Sequence, residues 1–324
     1  MNATSATFLL VMLAACLQSA PALAQTYPSK PVRLIVPGLP GAATDIRARW
    51  IAEKLSPMLG QPIIVDNRAG AGGAIGTEAA AKSAADGYTI LLVHQGTMAV
   101  NPHVYAKLGY DPLIDFAPIT RLSLGPLLLA VNASLPVQSV ADLVRLAKQK
   151  PGQINFGSPG NGTPPHLAGE LFKHMAGIDV THIPYKGGAQ ALTDLVAGQI
   201  AFSMDNLAVQ LPQVKAGRIR AIATTGAQRI AALPEVPTVA EAGVPDYEYL
   251  AWMGIAAPAA TPRAIVARLN FDIVTILSTP AAHDWLSAQG NVPGGDTPEQ
   301  FAAFIKSEHA KLGRIVREAG IKAD

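Results

Sequence analysis

Glycines make the first chemical suggestion in this chain. The stretch AGAGGAIGT, residues 69–77, sets Gly70, Gly72 and Gly76 at the spacing of a nucleotide loop, between a strand-like run and an alanine-rich helical one. A dinucleotide loop also needs an acidic residue for the ribose, or an arginine for a 2′-phosphate, at the end of the next strand. That strand ends at Val93 and delivers His94, Gln95, Gly96 and Thr97. No dinucleotide is therefore expected, and no other cofactor. Similar turns recur at Gly38–Ala42, Gly157–Gly162 and Lys186–Ala189. Glycine-rich turns that open helices present unpaired backbone N–H groups at the positive end of the helix dipole, which suits a small anion.

Catalytic readings are weaker. Ser158 has Gly160 two places on but Phe156 two places before it, so it is not a G-x-S-x-G nucleophile elbow. His166, Glu170 and His174 share a helical face, yet H-x3-E-x3-H is not a zinc spacing, and no metal site is expected. His166 by itself fits either a pocket wall or an ordinary capped position. Asp45 reads as an N-cap facing a pocket, and Asp205 reads equally as a ligand contact or a turn residue.

Elements must hold these turns at one place. Val32–Val36, Ile63–Val65 and Tyr88–Val93 read as strands, each followed by a glycine turn or polar loop. A helix carrying Ile46, Trp50, Leu55 and Leu59 follows the first, with Thr44 and Asp45 as cap and Gly60 as stop. The grammar repeats with strands at Leu127–Val131, Ile154–Ser158, Val180–Tyr185, Ile200–Met204 and Arg220–Thr225. Helices are predicted at Ser139–Lys150 (Ser139 and Asp142 forming a capping box), His166–Met175 and Ala189–Val196. Alternating β and α elements imply parallel sheet covered by helices. Two long helices close the chain, one opened by Thr261 and Pro262, the other by Thr297 and Gln300 and stopped by Gly320. Arg121–Gly125 and Tyr249–Pro258 are the candidate crossings between two α/β lobes joined by a hinge. In open α/β sheets ligands sit outside the carboxyl ends of strands, so the glycine turns would face one another across a cleft.

Composition agrees with a binding protein and excludes some partners. The chain has 324 residues, 25 Lys plus Arg against 23 Asp plus Glu, and no polybasic run. Nucleic acid and anionic membrane surfaces are thus not expected partners. The first 24 residues carry no charged side chain, and the apolar run Phe8–Leu17 is followed by Ala22-Leu23-Ala24. That is the pattern of a secretory signal peptide cleaved after Ala24. Leu13-Ala14-Ala15-Cys16 resembles a lipobox, which makes a lipid anchor at Cys16 the alternative.

Several blocks, in order, give the chain a family likeness. They are Tyr27–Pro37, Val65–Leu92, Asn101–Tyr105, Gly157–Phe172, Ile183–Ile200, Leu233–Thr238 with Glu241–Gly243, and Ala251–Pro262. Together they resemble the Bug-type periplasmic substrate-binding receptors of tripartite tricarboxylate transporters. The resemblance implies a two-lobed periplasmic-binding-protein fold (type II-like), with one discontinuous lobe at 25–122 and 252–324 and the other at 123–251. It implies a non-enzymatic receptor, a monomer, that closes on a small carboxylate or related polar metabolite and delivers it to a membrane permease. A ligand sensor docking on a signalling partner is the alternative, and a secreted α/β hydrolase a more distant one. Carried over by position, the first lobe would contribute Gly41, Ala42, Asp45, Gly73, Ala74 and Thr97. The second would contribute Ser158, Asn161, Thr163, His166, Lys186, Gly187, Gly188 and Asp205, with the Gly73 and Ala74 amides facing the carboxylate. The family's first loop usually reads P-F-x-x-G-G, whereas this chain has Gly38 and Ala42 at those positions. Loss of the aromatic implies a wider or more polar pocket on that side.

Overall fold

The computed structural model describes residues 27–318. The signal-peptide expectation, cleavage after Ala24, lipidation at Cys16 and the Gly320 stop all lie outside the described residues.

Two α/β lobes share one mixed sheet. Strands β1 (Val32–Val36), β2 (Ile63–Asn67) and β3 (Thr89–His94) are parallel to one another. So are β5 (Asn155–Ser158), β6 (Thr181–Pro184) and β7 (Phe202–Asn206). Between these triplets run β4 (Phe116–Asn132) and β9 (Leu250–Pro258), giving the order β2-β1-β3-β9-β4-β7-β5-β6. β8 (Ile219–Thr224) and β10 (Val292–Pro293) also pair with β4.

The sheet is therefore not parallel throughout, as the alternating elements alone suggested: β4 and β9 are antiparallel to their neighbours. β4 absorbs two predicted segments, 121–125 and 127–131, into one strand. Its first part pairs with β9 from Phe116↔Pro258 to Pro126↔Leu250, and its second pairs with β7 from Leu127↔Asn206 to Val131↔Phe202. The chain thus passes between lobes along two hydrogen-bonded neighbours, a short and defined hinge.

Helices follow the strands: α1 (Ala43–Leu59), α2 (Ala74–Ala81) and the short α3 (Asn101–Val104) in the first stretch. Next come α4 (Val140–Gln149), α5 (Pro164–Ala176), α6 (Gly188–Val196) and α7 (Leu207–Lys215). α8 (Arg263–Leu277), α9 (Pro280–Ser287) and α10 (Pro298–Glu318) follow β9. Three of these, α3, α7 and α9, have no counterpart in the sequence reading. α7 carries Pro212, an unfavourable residue inside a helix, at its sixth position and accommodates it. The apolar run Ile63–Val65 has the composition of a buried strand, but β2 is an edge strand with Ile64 54% exposed. Two caps also differ: α1 is capped by Ala42 rather than Thr44 or Asp45, and α8 by Pro262 rather than Thr261. The capping boxes at Ser139/Asp142 and Thr297/Gln300 are present, each hydroxyl accepting from the amide three residues on.

Each lobe has its own apolar core. Leu34, Ile51, Leu55, Ile90, Leu269 and Ile273 pack together on one side. Phe156, Phe172, Phe202, Tyr247 and Val131 pack on the other, joined by Leu312 and Val316 from the end of α10. Fully burying one such side chain stabilises by about 1.5–3 kcal/mol, which fixes the two lobes as rigid supports for the loops between them.

One buried group opposes this stability. Arg47 is 4% exposed, and its Nε and Nη1 are buried with no hydrogen-bond partner among the described residues. Its guanidinium lies 4.7 Å from the Trp285 ring, and burial pushes its pKa down to about 9. Exchanging an unpaired buried cation for an apolar group of similar length is generally stabilising. Arg47→Met should therefore raise the melting temperature by roughly 3 °C, for a gain of about 1 kcal/mol. A fall in thermal unfolding experiments would show that the guanidinium has a partner in solution.

Candidate functional site

A cavity of about 690 Å3 lies between the lobes, within the range of small-molecule sites. The loops after β1, β2 and β3 form one wall, those after β5, β6 and β7 the other, and Ala251–Met253 of β9 the floor. Among the described residues, five helices begin on this wall. The residues before their first turns, Ala42, Gly73, Thr163, Gly187 and Asn206, all line the cavity, and none makes a side-chain cap. Away from the cavity, α4, α9 and α10 begin with hydroxyl caps that accept from a first-turn amide; α8 starts at Pro262 with none. First-turn amides without a cap need another acceptor. The cavity is where such an acceptor fits.

Which amides are free differs from the sequence reading. Gly73 N–H donates to Gly70 O and Ala74 N–H to Ala71 O, both inside the 3-10 turn Ala71–Gly73. Gly41 N–H donates to Asp45 Oδ2, and Ala42 N–H to Leu39 O. The loop glycines thus shape the turns, while the donors move one step on. In α1 the first intrahelical bond is Ile46 N–H to Ala42 O, and in α6 it is Ala191 N–H to Gly187 O. That leaves Ala43 and Thr44 at one helix start and Gly188 at another as wall residues whose amides have no intrahelical acceptor. α5 offers less, because Pro164 and Pro165 open it without N–H groups.

Of the predicted side chains and turns, the structure brings Ala42, Gly73, Asn161, Thr163, Lys186, Gly187, Gly188 and Asp205 onto the cavity wall. Thr163 Oγ1 donates to Gly160 O at 2.6 Å, leaving its lone pairs for a ligand donor. Asp205 is 6% exposed; its Oδ1 accepts from Asn206 N–H at 2.7 Å and Asn206 Nδ2 at 3.3 Å. Burial pushes its pKa up to about 6 against those two hydrogen bonds. Lys186 is exposed, and its amide donates to Gln190 Oε1.

The structure places Gly41, Asp45, Ala74, Thr97, Ser158 and His166 outside that wall, as supports. Asp45 Oδ2 accepts from the Gly41 amide at 2.9 Å and Arg49 Nε at 3.0 Å, fixing the first loop. Burial pushes the Asp45 carboxyl up, but the hydrogen bonds from Arg49, Gly41 and Asn67 outweigh it, and the group sits below the usual carboxylate range. Thr97 is fully buried, its hydroxyl donating to His94 O and accepting from His94 N–H. Ser158 Oγ lies 2.7 Å from His182 Nε2. The His166 ring stacks on His182 at 4.1 Å, its Nδ1 accepting from Gly162 N–H.

Composition of the wall also includes residues the sequence reading did not single out. His94 ends β3 as Asp205 falls near the end of β7, so strand-end position was the available signal. Its Nδ1 accepts from Gly96 N–H at 3.1 Å, which leaves Nε2 as the protonated nitrogen of the neutral ring. Leu39, Tyr105, Asn206 and Trp252 also line the cavity. Gly38, where the family has an aromatic, lines the cavity, and a Cβ there would displace the Thr44 hydroxyl.

Contacts across the cavity show the lobes closed on one another. Tyr105 Oη donates to Asn161 O at 3.3 Å. A Cβ on Gly72 would collide with Asn161 O, and one on Gly96 would lie 2.6 Å from Gly162 O.

The buried imidazoles set an acid limit. Burial holds the pKa values of His94 and His166 at about 4, below the ordinary 6.5. Between pH 6.5 and 4 the unfolded chain binds protons that the folded one refuses, so stability falls as pH falls. Each of these two rings should remove about 2 kcal/mol by pH 5. Melting temperatures measured at pH 7 and pH 5 should drop by several degrees; equal values would show the rings exposed.

This fold and cleft define a two-lobed solute-binding receptor. The family model described as Tripartite tricarboxylate transporter family receptor matches residues 47–321. The chain is 39% identical to Protein BugT of Bordetella pertussis over 94% of both sequences. It superposes on the structure of R. palustris Rpa4515 with adipate at a TM-score of 0.89, with 41% identity over 91% of this chain and 99% of that one. MatC from Rhodopseudomonas palustris with bound malate gives 0.85 and 29% identity, over 90% and 100%. The protein belongs to the tripartite tricarboxylate transporter receptor family, whose members are periplasmic solute-binding receptors rather than enzymes.

Proposed function

We propose that this receptor captures a small carboxylate in the periplasm by closing its lobes and delivers it to the permease of a tripartite transporter. The observation that carries the proposal is the convergence of five helix starts without side-chain caps on one cavity between the lobes. Positive helix ends and unpaired first-turn amides favour an anion there, and exclusion of water on closure strengthens each contact. Relatives that hold adipate and malate support the same ligand class for this chain. β4 and β9 supply the hinge, with lobe boundaries near residues 122 and 252. An open form admits the ligand, and contacts from both lobes favour the closed form by differential affinity. The closed outline is then what the permease reads.

A thermal-shift panel of succinate, glutarate, adipate, malate, monocarboxylates and amino acids tests the ligand class. At one hundred times Kd a true ligand adds about 2.7 kcal/mol of stability and is recovered unchanged after incubation. No shift with any carboxylate would refute the assignment.

A further inference from the structure

Among the described residues, Asp205 is the one carboxylate on the wall of a cavity proposed to receive a carboxylate. Its Oδ1 is committed to the two Asn206 donors. Its Oδ2 has no hydrogen-bond partner among the described residues, and it lies 3.0 Å from where a Cβ on Gly188 would stand, at the first turn of α6. Asp205 therefore sits between the starts of α6 and α7, beside the donors a ligand carboxylate would use. We propose that Asp205 and the bound carboxylate share one proton, so that capture takes up a proton from solvent and Asp205 selects ligands by that step. This rests on the carboxylate reading above.

The surroundings leave few other ways to neutralise the pair. The other titratable groups on the cavity wall are His94, Tyr105, Tyr185 and Lys186. Tyr185 Oη donates to Asp194, and Tyr105 Oη to Asn161 O. Lys186 lines the wall with an exposed side chain, and it makes no ion pair with Asp205 among the described residues. His94, on the facing wall, is neutral, as are His166 and His182 behind the loop that follows β5, where burial holds all three rings well below 6.5. The flanking position on β4, Leu128, and Pro159 just past β5 carry no charge, and neither do Gln190 of α6 and Val209 of α7. Two carboxylates meeting side by side, with no cation paired to Asp205, cannot both remain ionised cheaply. Burial already raises Asp205 to about 6 against its two Asn206 hydrogen bonds, and a second negative charge raises it further. The balance is Asp205–COO⁻ plus H⁺ plus ligand carboxylate, giving Asp205–COOH donating to the ligand oxygen. No covalent bond other than O–H forms.

Calorimetric titration of succinate, glutarate and adipate, none of which carries a hydroxyl or amine, tests this in two buffers of unlike ionisation enthalpy. For whichever binds, uptake approaching one proton per ligand is expected at pH 7.5. Kd should rise about tenfold from pH 6.5 to 7.5, the slope one linked proton gives. Asp205→Asn should abolish both the uptake and the pH slope. Asp205→Ser, which removes the same carboxylate, serves if the first variant fails to fold, and in His94→Gln, whatever its affinity, the uptake and slope should persist. Binding with no proton uptake overturns the inference and leaves the receptor reading standing. Uptake that survives in Asp205→Asn, or vanishes in His94→Gln, moves the proton to the imidazole and also overturns it. Absence of binding by all three acids and by every other carboxylate, at every pH, removes the receptor reading itself.

Discussion

Gly72→Val should cost at least a hundredfold in ligand affinity while leaving the unliganded protein folded. Gly72 sits at φ 58°, ψ 24° in the 3-10 turn after β2, and its missing side chain is what lets the two lobes meet. A Cβ there would collide with Asn161 O from the opposite lobe, with Asn101 Oδ1 and Tyr105 Oη each 3.3 Å away. Two penalties must be separated. Backbone strain at this φ costs about 1–3 kcal/mol and acts in open and closed forms alike. The collision with Asn161 exists only when the lobes are closed, so it subtracts from binding directly, and a hundredfold loss corresponds to about 2.7 kcal/mol. Gly60→Ala supplies the control: Gly60 ends α1 at φ 68° with no atom within 4 Å of an added Cβ. That variant should carry the strain, as a modest fall in melting temperature, and keep wild-type affinity. Calorimetry gives the affinities, and small-angle scattering with ligand present should show Gly72→Val retaining the larger radius of an open form. Wild-type affinity in Gly72→Val would mean that the lobes do not close along this contact.

The same loop shows what a sequence can disclose about this site. Its glycine spacing, its place after a strand and the absence of a ribose partner were all readable, and they excluded a nucleotide. The assignment of its amides was not. Gly73 and Ala74 lie where a glycine-rich anion loop would put its donors, but a 3-10 turn consumes both N–H groups locally. Whether a turn closes on itself depends on φ values that many glycine sequences satisfy. The supporting residues failed for a related reason. Asp45 and Thr97 are polar residues next to binding loops, and only three-dimensional packing shows that Asp45 holds Gly41 and Arg49 while Thr97 holds His94. Strand and helix positions were far more legible, because burial of one face leaves a periodic record in Val32–Val36 or in α4. Sheet direction left none: β4 and β9 are buried on both faces, and an antiparallel strand with both faces covered has the composition of a parallel one. Asp205 was legible by position at a strand end, yet its burial, and hence its proton affinity, is set by packing that its place in the sequence does not record.

Asp205→Asn is expected to stabilise the unliganded receptor at neutral pH even as it alters binding. The folded protein holds the Asp205 proton up to about pH 6, against the ordinary 3.8. Between those values the folded state binds more protons than the unfolded one, so this group's contribution to stability falls as pH rises. Above pH 6 the ionised side chain imposes a constant cost, about 3 kcal/mol for a shift of this size. Asparagine keeps an oxygen for the Asn206 amide and removes the charge, so part of that cost should be recovered. A gain of about 2 kcal/mol, or roughly 5 °C in melting temperature, is expected at pH 7.5. At pH 4 the gain should largely vanish, because aspartic acid is then already neutral in the fold. Thermal unfolding of both proteins across pH 4–8 reads this directly. A variant less stable at pH 7.5, or a difference independent of pH, would show that the carboxylate is solvated in the unliganded cleft. A stability gain together with lost proton uptake would mark Asp205 as a residue kept for the ligand at the expense of the fold. An open, hydrated cleft would not impose that cost, so its size also reports how far the unliganded receptor samples the closed form.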